Sequence, residues 1–240
     1  MNAGTHTVDL KKSDAAEALR PGYFARRNAW DWVFALLVVA GGAYAYYLFA
    51  EFMDVYEKSI LIGTVPSLIA LAWFWRPLRQ LTVVVAVLSL TAIWLCQVDG
   101  VGVPERADEA FLLKYFISSQ SAILWMSVIF FMSTAFYWFG IFSRRNADAF
   151  ESIGSKLTWV AITLGLVGSF VRWYESYLLG PDMGYIPVSN LYEVFVLFAW
   201  LTAAYYLYYE DRYQTRRMGA FAMLIVSAAV GFLLWYTLVR

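Results

Sequence analysis

The segment at residues 120–142, QSAILWMSVIFFMSTAFYWFGIF, carries no charged side chain and no proline. About 20 mainly apolar residues in helical form are enough to cross the hydrocarbon core of a bilayer. Inside lipid every backbone N–H and C=O must find a protein partner, which leaves only helices and closed barrels. A barrel strand alternates apolar and polar residues over about ten positions, and this run does not alternate. It reads as a membrane-spanning helix.

Working outward, six more stretches have the same character, at roughly 30–50, 59–75, 80–97, 157–179, 190–209 and 218–239. The second is the shortest and ends in WFWRP, where Pro77 is expected to stop it. The chain as a whole is 61% apolar, 19% aromatic and 15% charged. A soluble domain carries about a quarter charged residues, so the apolar surplus must face lipid. Trp30 with Trp32 and Trp235 with Tyr236 fall at segment ends, the depth that amphipathic rings prefer. The expected fold is all-α: a polytopic membrane bundle of about seven helices over residues 29–240, behind a polar basic tail at 1–28. The first apolar run is too long for a signal-peptide core and reads as a retained span.

Charge placement orients the bundle. With the N-terminus in the cytosol, that side holds Lys11, Lys12, Arg20, Arg26, Arg27, Arg76, Arg79, Arg144, Arg145, Lys156, Arg212, Arg216 and Arg217. The outer side holds only Lys58, Arg106, Lys114, Arg172 and Arg240 of the 18 basic residues. Basic loops stay in the cytosol, so the sequence predicts a cytoplasmic N-terminus and an outer, periplasmic C-terminus. Outer loops then fall near 98–119 and 180–189. Residues 108–118 within the first read either as an amphipathic stretch on the outer surface or as an extension of the fourth helix.

Several chemistries are excluded. Net charge is zero, so no basic field points to nucleic acid. The one cysteine, Cys96, and the one histidine, His6, form no CxxC, no haem-attachment sequence and no metal-ligand cluster. No nucleophile–base pair or phosphate-cradling glycine loop appears. No inverted repeat, broken helix or midplane charge marks a transporter path.

The polar feature worth attention is the connector GPDMGYIPVSN at 180–190, which runs straight into the sixth span. Gly180, Pro181, Gly184 and Pro187 make it turn-rich. Asn190 followed by Glu193 matches a capping box, in which the N3 carboxylate reaches back to the cap N–H. Ser189 is the alternative cap. Across the loop, Arg172 lies inside the fifth span, where a charge is costly and normally paired. Glu175, one turn on, and Glu193, on the next helix, are its two possible partners. With Trp173, Tyr174, Tyr177, Tyr185 and Tyr192 around them, these groups suggest an aromatic-walled polar pocket. A flat amphiphile could rest a carboxylate on Arg172 there. The competing account is a snorkelling arginine with a local ion pair.

The pair RWYESYLLG and GYIPVSNLYEVFVLFAW resembles the membrane component of system II cytochrome c biogenesis, the CcsA/CcsB (ResC) type. The family form is an Arg-Trp, then a short outer loop G-x-x-P-x-S-N-x-Y-E. Here these positions are Arg172, Trp173, Gly184, Pro187, Ser189, Asn190, Tyr192 and Glu193. EKSILIGTVPSLIALAWFWRPLRQL and AFLLKYFISSQSAILWMS are similar to the proteobacterial branch and occur in the same order. The resemblance runs from about residue 24 to the end.

It implies a multi-pass protein of the bacterial inner membrane that works with a ResB-like partner. Full-length members move haem to the outer face and promote its attachment to apocytochrome c, acting together as a holocytochrome c synthase. Their haem is held by flanking histidines and a tryptophan-rich WWD segment. Neither occurs before Arg240, and AWDW at 29–32 falls on the cytoplasmic side. Many relatives also carry histidine where this chain has Tyr185. The expectation is therefore an N-terminal scaffold portion of a longer protein, without catalytic residues and with the haem ligands lying elsewhere. The pocket candidates are Arg172, Trp173, Glu175, Tyr185, Tyr192 and Glu193. A non-catalytic assembly subunit and a small-solute transporter are the alternatives.

Overall fold

The computed structural model describes residues 27–51, 53–98, 101–103, 109–143, 145–178 and 184–239. Residues 1–26 of the basic tail lie outside the described residues, as do 104–108 and 179–183 of the two loops that the sequence places outside. Among the described residues, seven helices are long and apolar enough to cross a membrane. They are α1 (Ala29–Phe49), α2 (Val55–Phe74), α3 (Pro77–Leu95), α4 (Ser119–Phe142), α5 (Ala147–Leu178), α6 (Leu191–Tyr213) and α7 (Gly219–Val239). The all-helical expectation holds, apart from a two-residue antiparallel ladder in which Gln97–Val98 pairs with Val101–Gly102.

Three boundaries differ from the sequence reading. Pro77 does not act at the end of α2, which stops at Phe74; it is the first residue of α3. A proline there loses nothing, because the first N–H groups of a helix have no intrahelical acceptor. Helix α5 starts ten residues before its apolar run, since a helix continues past the lipid boundary wherever its backbone can still bond internally. The stretch before α4 is not an extension of it. Leu113–Ile117 forms a single π-helical turn, and Ser118, with extended backbone, accepts from Ser121 N–H to cap α4 separately.

The chain divides into two compact units, Met1–Arg79 and Gln80–Arg240. In the first, α1 and α2 are joined at one end by a polar knot. Asp31, 2% exposed, forms a salt bridge with Arg79, and its carbonyl accepts from Trp73 Nε1 at 3.1 Å. Arg27 donates to Trp73 O at 2.7 Å and lies over the same indole. The AWDW run thus has a packing role that the sequence did not reveal.

The second unit is built on the antiparallel pair α4 and α5. Small residues on α5 receive large ones from α4 along its length. A Cβ at Gly154 would sit 2.9 Å from the Tyr137 ring, one at Gly165 2.6 Å from Met126 Sδ, and one at Gly168 2.8 Å from Ile123 Cγ1. Where lipid replaces water there is no hydrophobic drive between helices, so such close approach and interhelical hydrogen bonds provide the attraction. Ser133 Oγ meets Thr158 Oγ1 at 2.7 Å across α4 and α5, and Thr134 Oγ1 meets Ser227 Oγ at 2.6 Å across α4 and α7. Helix α6 closes the unit, with Phe195 against Phe232 of α7 at 4.6 Å.

One end of this unit is tied by a buried phenol. Tyr137, 1% exposed, donates to Glu210 Oε2 at 2.8 Å, while Arg216 Nε donates to Oε1 at 3.0 Å. Glu210→Ala should lower the unfolding free energy by about 2 kcal/mol, chiefly because the Tyr137 hydroxyl loses its acceptor. The ion pair adds little, since the Arg216 side chain is 42% exposed. Glu210→Gln keeps an acceptor and should lose about half as much, a difference that denaturant unfolding in detergent micelles resolves.

Candidate functional site

The site lies at the other end of the second unit. Helix α6 starts where Asn190 accepts from Glu193 N–H at 2.9 Å, as the capping pattern requires. The reciprocal half is displaced by one residue. Glu193 Oε2 accepts from both Ser189 N–H and Ser189 Oγ at 3.0 Å, rather than from the Asn190 N–H. Both polar residues of the Ser-Asn pair therefore serve the helix start, one as cap and the other as the carboxylate's anchor. Reaching one residue further back also turns Oε1 towards α5, where Arg172 Nε stands at 3.6 Å.

Arg172 has both expected partners. Its Nη1 lies 3.8 Å from Glu175 Oε2, which in turn accepts from Ser119 Oγ of α4 at 2.6 Å. The three charges sum to −1. Neither contact to Arg172 is short enough for a hydrogen bond, so the guanidinium is held electrostatically and keeps donors to spare.

The loop is fixed by a residue the sequence reading did not single out. Ser176 Oγ donates to Trp173 O at 2.7 Å and accepts from Tyr185 N–H at 3.2 Å, fastening the loop backbone to the last turns of α5. Gly184 belongs to the same fastening, because a Cβ there would run into the Tyr177 ring. Ile186 and Val188 are left exposed on either side of Pro187.

A cavity of about 430 Å³ opens at this end, within the usual size range of small-ligand sites. Arg172, Asn190, Tyr192 and Glu193 line it, together with Ser119, Gln120, Ile123, Leu124 and Ser127 of α4 and Leu233, Leu234, Tyr236 and Thr237 of α7. The sequence reading had missed the contributions of α4 and α7; no local pattern links residues 119–127 to 233–237. Four of its five aromatic walls are elsewhere. Helical periodicity turns Trp173, Tyr174 and Tyr177 to other faces of α5, and Tyr174 OH accepts from Gln97 Nε2 at 3.4 Å beside the small ladder. Glu175 stands behind Arg172, and Tyr185 contributes its backbone to the loop.

Haem is the group the resemblance implies, and these residues do not fit it. Among the described residues no histidine, cysteine or methionine lines the cavity, and no group of three His, Cys, Asp or Glu could hold a metal. Arg172, the one cation among the described lining residues, already faces two carboxylates, so a propionate would add a further negative charge. The buried polar atoms left without partners include Glu193 Oε1, an acceptor. The site is short of a donor.

Among known proteins, the chain is similar to a protein named cytochrome c biogenesis protein CcsA from Chlorella vulgaris, with 30% identity over 109 residues. That match covers 44% of this chain and 31% of the relative. No family model matches the chain. No solved structure matches it either.

Proposed function

We propose that this chain is a membrane component of cytochrome c maturation. It forms part of the scaffold on which haem is delivered to apocytochrome c and attached at the outer face of a bacterial inner membrane. The observation that carries the reading is the 30% identity to a CcsA protein; the order of the loop motif from Arg172 to Glu193 is in keeping with it. Haem itself supplies the vinyl groups that react with the two thiols of the apoprotein. The described residues at the cavity do not ligate it. They hold the loop at 184–190 rigid at the end of α5 and the start of α6, presenting the exposed Ile186 and Val188 on either side of the half-buried Pro187 as an apolar ridge. A ResB-like partner, or another segment carrying the haem ligands, seats against that ridge. The chain then contributes position rather than chemistry.

The orientation with the N-terminus inside is part of this proposal, since the ridge must face the compartment where cytochrome c matures. Tyr185→Cys, with the buried Cys96 as internal background, is expected to react with a membrane-impermeant maleimide added to intact cells. Removal of the chain from its host should abolish covalent haem in c-type cytochromes, read by haem stain, while b-type spectra persist. Labelling only after membrane disruption, or normal c-type haem in the deletion strain, would overturn the assignment.

A different class of role, a non-catalytic subunit that binds a ResB-like protein and takes no part in haem handling, makes the same ridge its interface. It predicts that replacing the ridge by serines abolishes co-purification of the partner and leaves c-type haem unchanged.

A further inference from the structure

We propose that the cavity at the start of α6 holds the headgroup of an amino-bearing zwitterionic phospholipid, its ammonium on Glu193 and its phosphate on Arg172. The first argument is the unfilled acceptor. Glu193 is 4% exposed, and its Oε1 accepts no hydrogen bond although Oε2 accepts two. A buried carboxylate oxygen in that condition requires a donor, and a charged N–H gives the strongest hydrogen bond. The second is the neighbour. Arg172 stands 3.6 Å from the same oxygen, too far to bond it, and its side chain is 37% exposed with donors left over. An acceptor that wants N–H and a cation that wants oxygen therefore lie side by side. Phosphoethanolamine carries the matching pair, an ammonium and a phosphate joined by two methylenes.

The remaining features select a lipid over a soluble amine. Arg172, Glu175 and Glu193 sum to −1, which disfavours an anionic ligand and tolerates a zwitterion. The exposed residues of its lining are Asn190 at the start of α6, Gln120 and Leu124 of α4 and Thr237 of α7, so besides the helix end it opens sideways between α4 and α7. In helices that cross a bilayer, that direction is where acyl chains lie. Leu124 and Leu233 give the chains an apolar wall. A soluble amine would leave that wall uncovered. The proposal stands independently of the role in cytochrome c maturation, and neither falls with the other.

The test uses the full chain in nanodiscs of equimolar phosphatidylethanolamine and phosphatidylcholine with identical acyl chains, with retained lipid read by native mass spectrometry. The choline headgroup keeps the phosphate but has no N–H. Phosphatidylethanolamine should be retained about tenfold over phosphatidylcholine, the factor that one charge-assisted hydrogen bond supplies in a partly wet site. Glu193→Gln should reduce that preference at least threefold. Because Glu193 also anchors the loop, Leu124→Trp provides a second variant: it narrows the mouth from an exposed position and should lower retention of both lipids. Equal retention of the two lipids overturns the proposal, as does undiminished retention of both in folded Leu124→Trp. Displacement of the lipid by water-soluble phosphoethanolamine at equal concentration would assign the site to a free amine instead, and would equally overturn it.

Discussion

Glu193→Ala is expected to lower the stability of the bundle by about 3 kcal/mol and to release the loop at 184–190 from the start of α6. The carboxylate is 4% exposed and serves three groups at once: the Ser189 N–H, the Ser189 hydroxyl and Arg172. Hydrogen bonds to a charged acceptor are worth about 1.5–3 kcal/mol each, and the Ser189 N–H would lose its partner at a helix start where spare acceptors are few. The attraction to Arg172 contributes less, because that side chain is more than a third exposed and keeps Glu175. Asn190→Ala removes only the cap and should cost about 1 kcal/mol. The ordering of the two losses is the informative part. Equal losses in chemical denaturation would mean that Glu193 does no more than an ordinary first-turn carboxylate, and that the bond to Ser189 contributes nothing. Proteolysis within 184–190 gives an independent reading, since a released loop becomes a substrate while the helices stay protected.

The contrast between Asn190 and Ser189 shows how far the sequence could be read. A cap residue followed three positions later by a carboxylate is a local pattern, and local patterns are legible: the start of α6 falls where it predicts. Which N–H the carboxylate takes, and that its other oxygen then faces Arg172 on another helix, a one-dimensional pattern does not contain. The same division runs through the fold. Hydropathy marks the part of each helix that suits lipid, so all seven spans were found, yet residues 147–156 of α5 were missed because they carry Asp148, Glu151 and Lys156. Arg172 with Glu175 and Glu193 was legible because a charge inside an apolar run demands partners. Ser119, Tyr236 and Thr237 were not, because ordinary residues at a helix end give no sign of which other helix end they will meet. Asp31 was visible as a charge, but its burial depends on Arg79 and Trp73, which lie far along the chain.

Gly168→Leu is expected to be the most damaging single change in the α4–α5 seam, and its effect should reach the cavity. Already a bare Cβ at this position would lie 2.8 Å from Ile123 Cγ1 and 3.2 Å from the carbonyl oxygen of Ser119. The first contact can be relieved by a side-chain rotation. The second is backbone, and relieving it requires the start of α4 to move away from α5. Overpacking of this kind costs about 1–3 kcal/mol in a packed core, and the upper figure applies where backbone must shift. Ser119 is also the residue whose hydroxyl donates to Glu175 Oε2 at 2.6 Å, so displacement of α4 takes away a partner of the Arg172 carboxylates and widens the cavity between α4 and α7. Gly63→Leu serves as the control: a Cβ there meets nothing within 4 Å, and leucine is the better helix former. The pair separates two explanations of the α5 glycines. If both substitutions cost the same, the loss reflects a generic effect of leucine on a membrane helix; a loss of about 3 kcal/mol confined to Gly168, together with reduced lipid retention, assigns it to the seam. Gly168→Ala, which adds the Cβ alone, should fall between them, because the Ile123 side chain can rotate away from a methyl group while the Ser119 carbonyl needs to yield only a few tenths of an ångström.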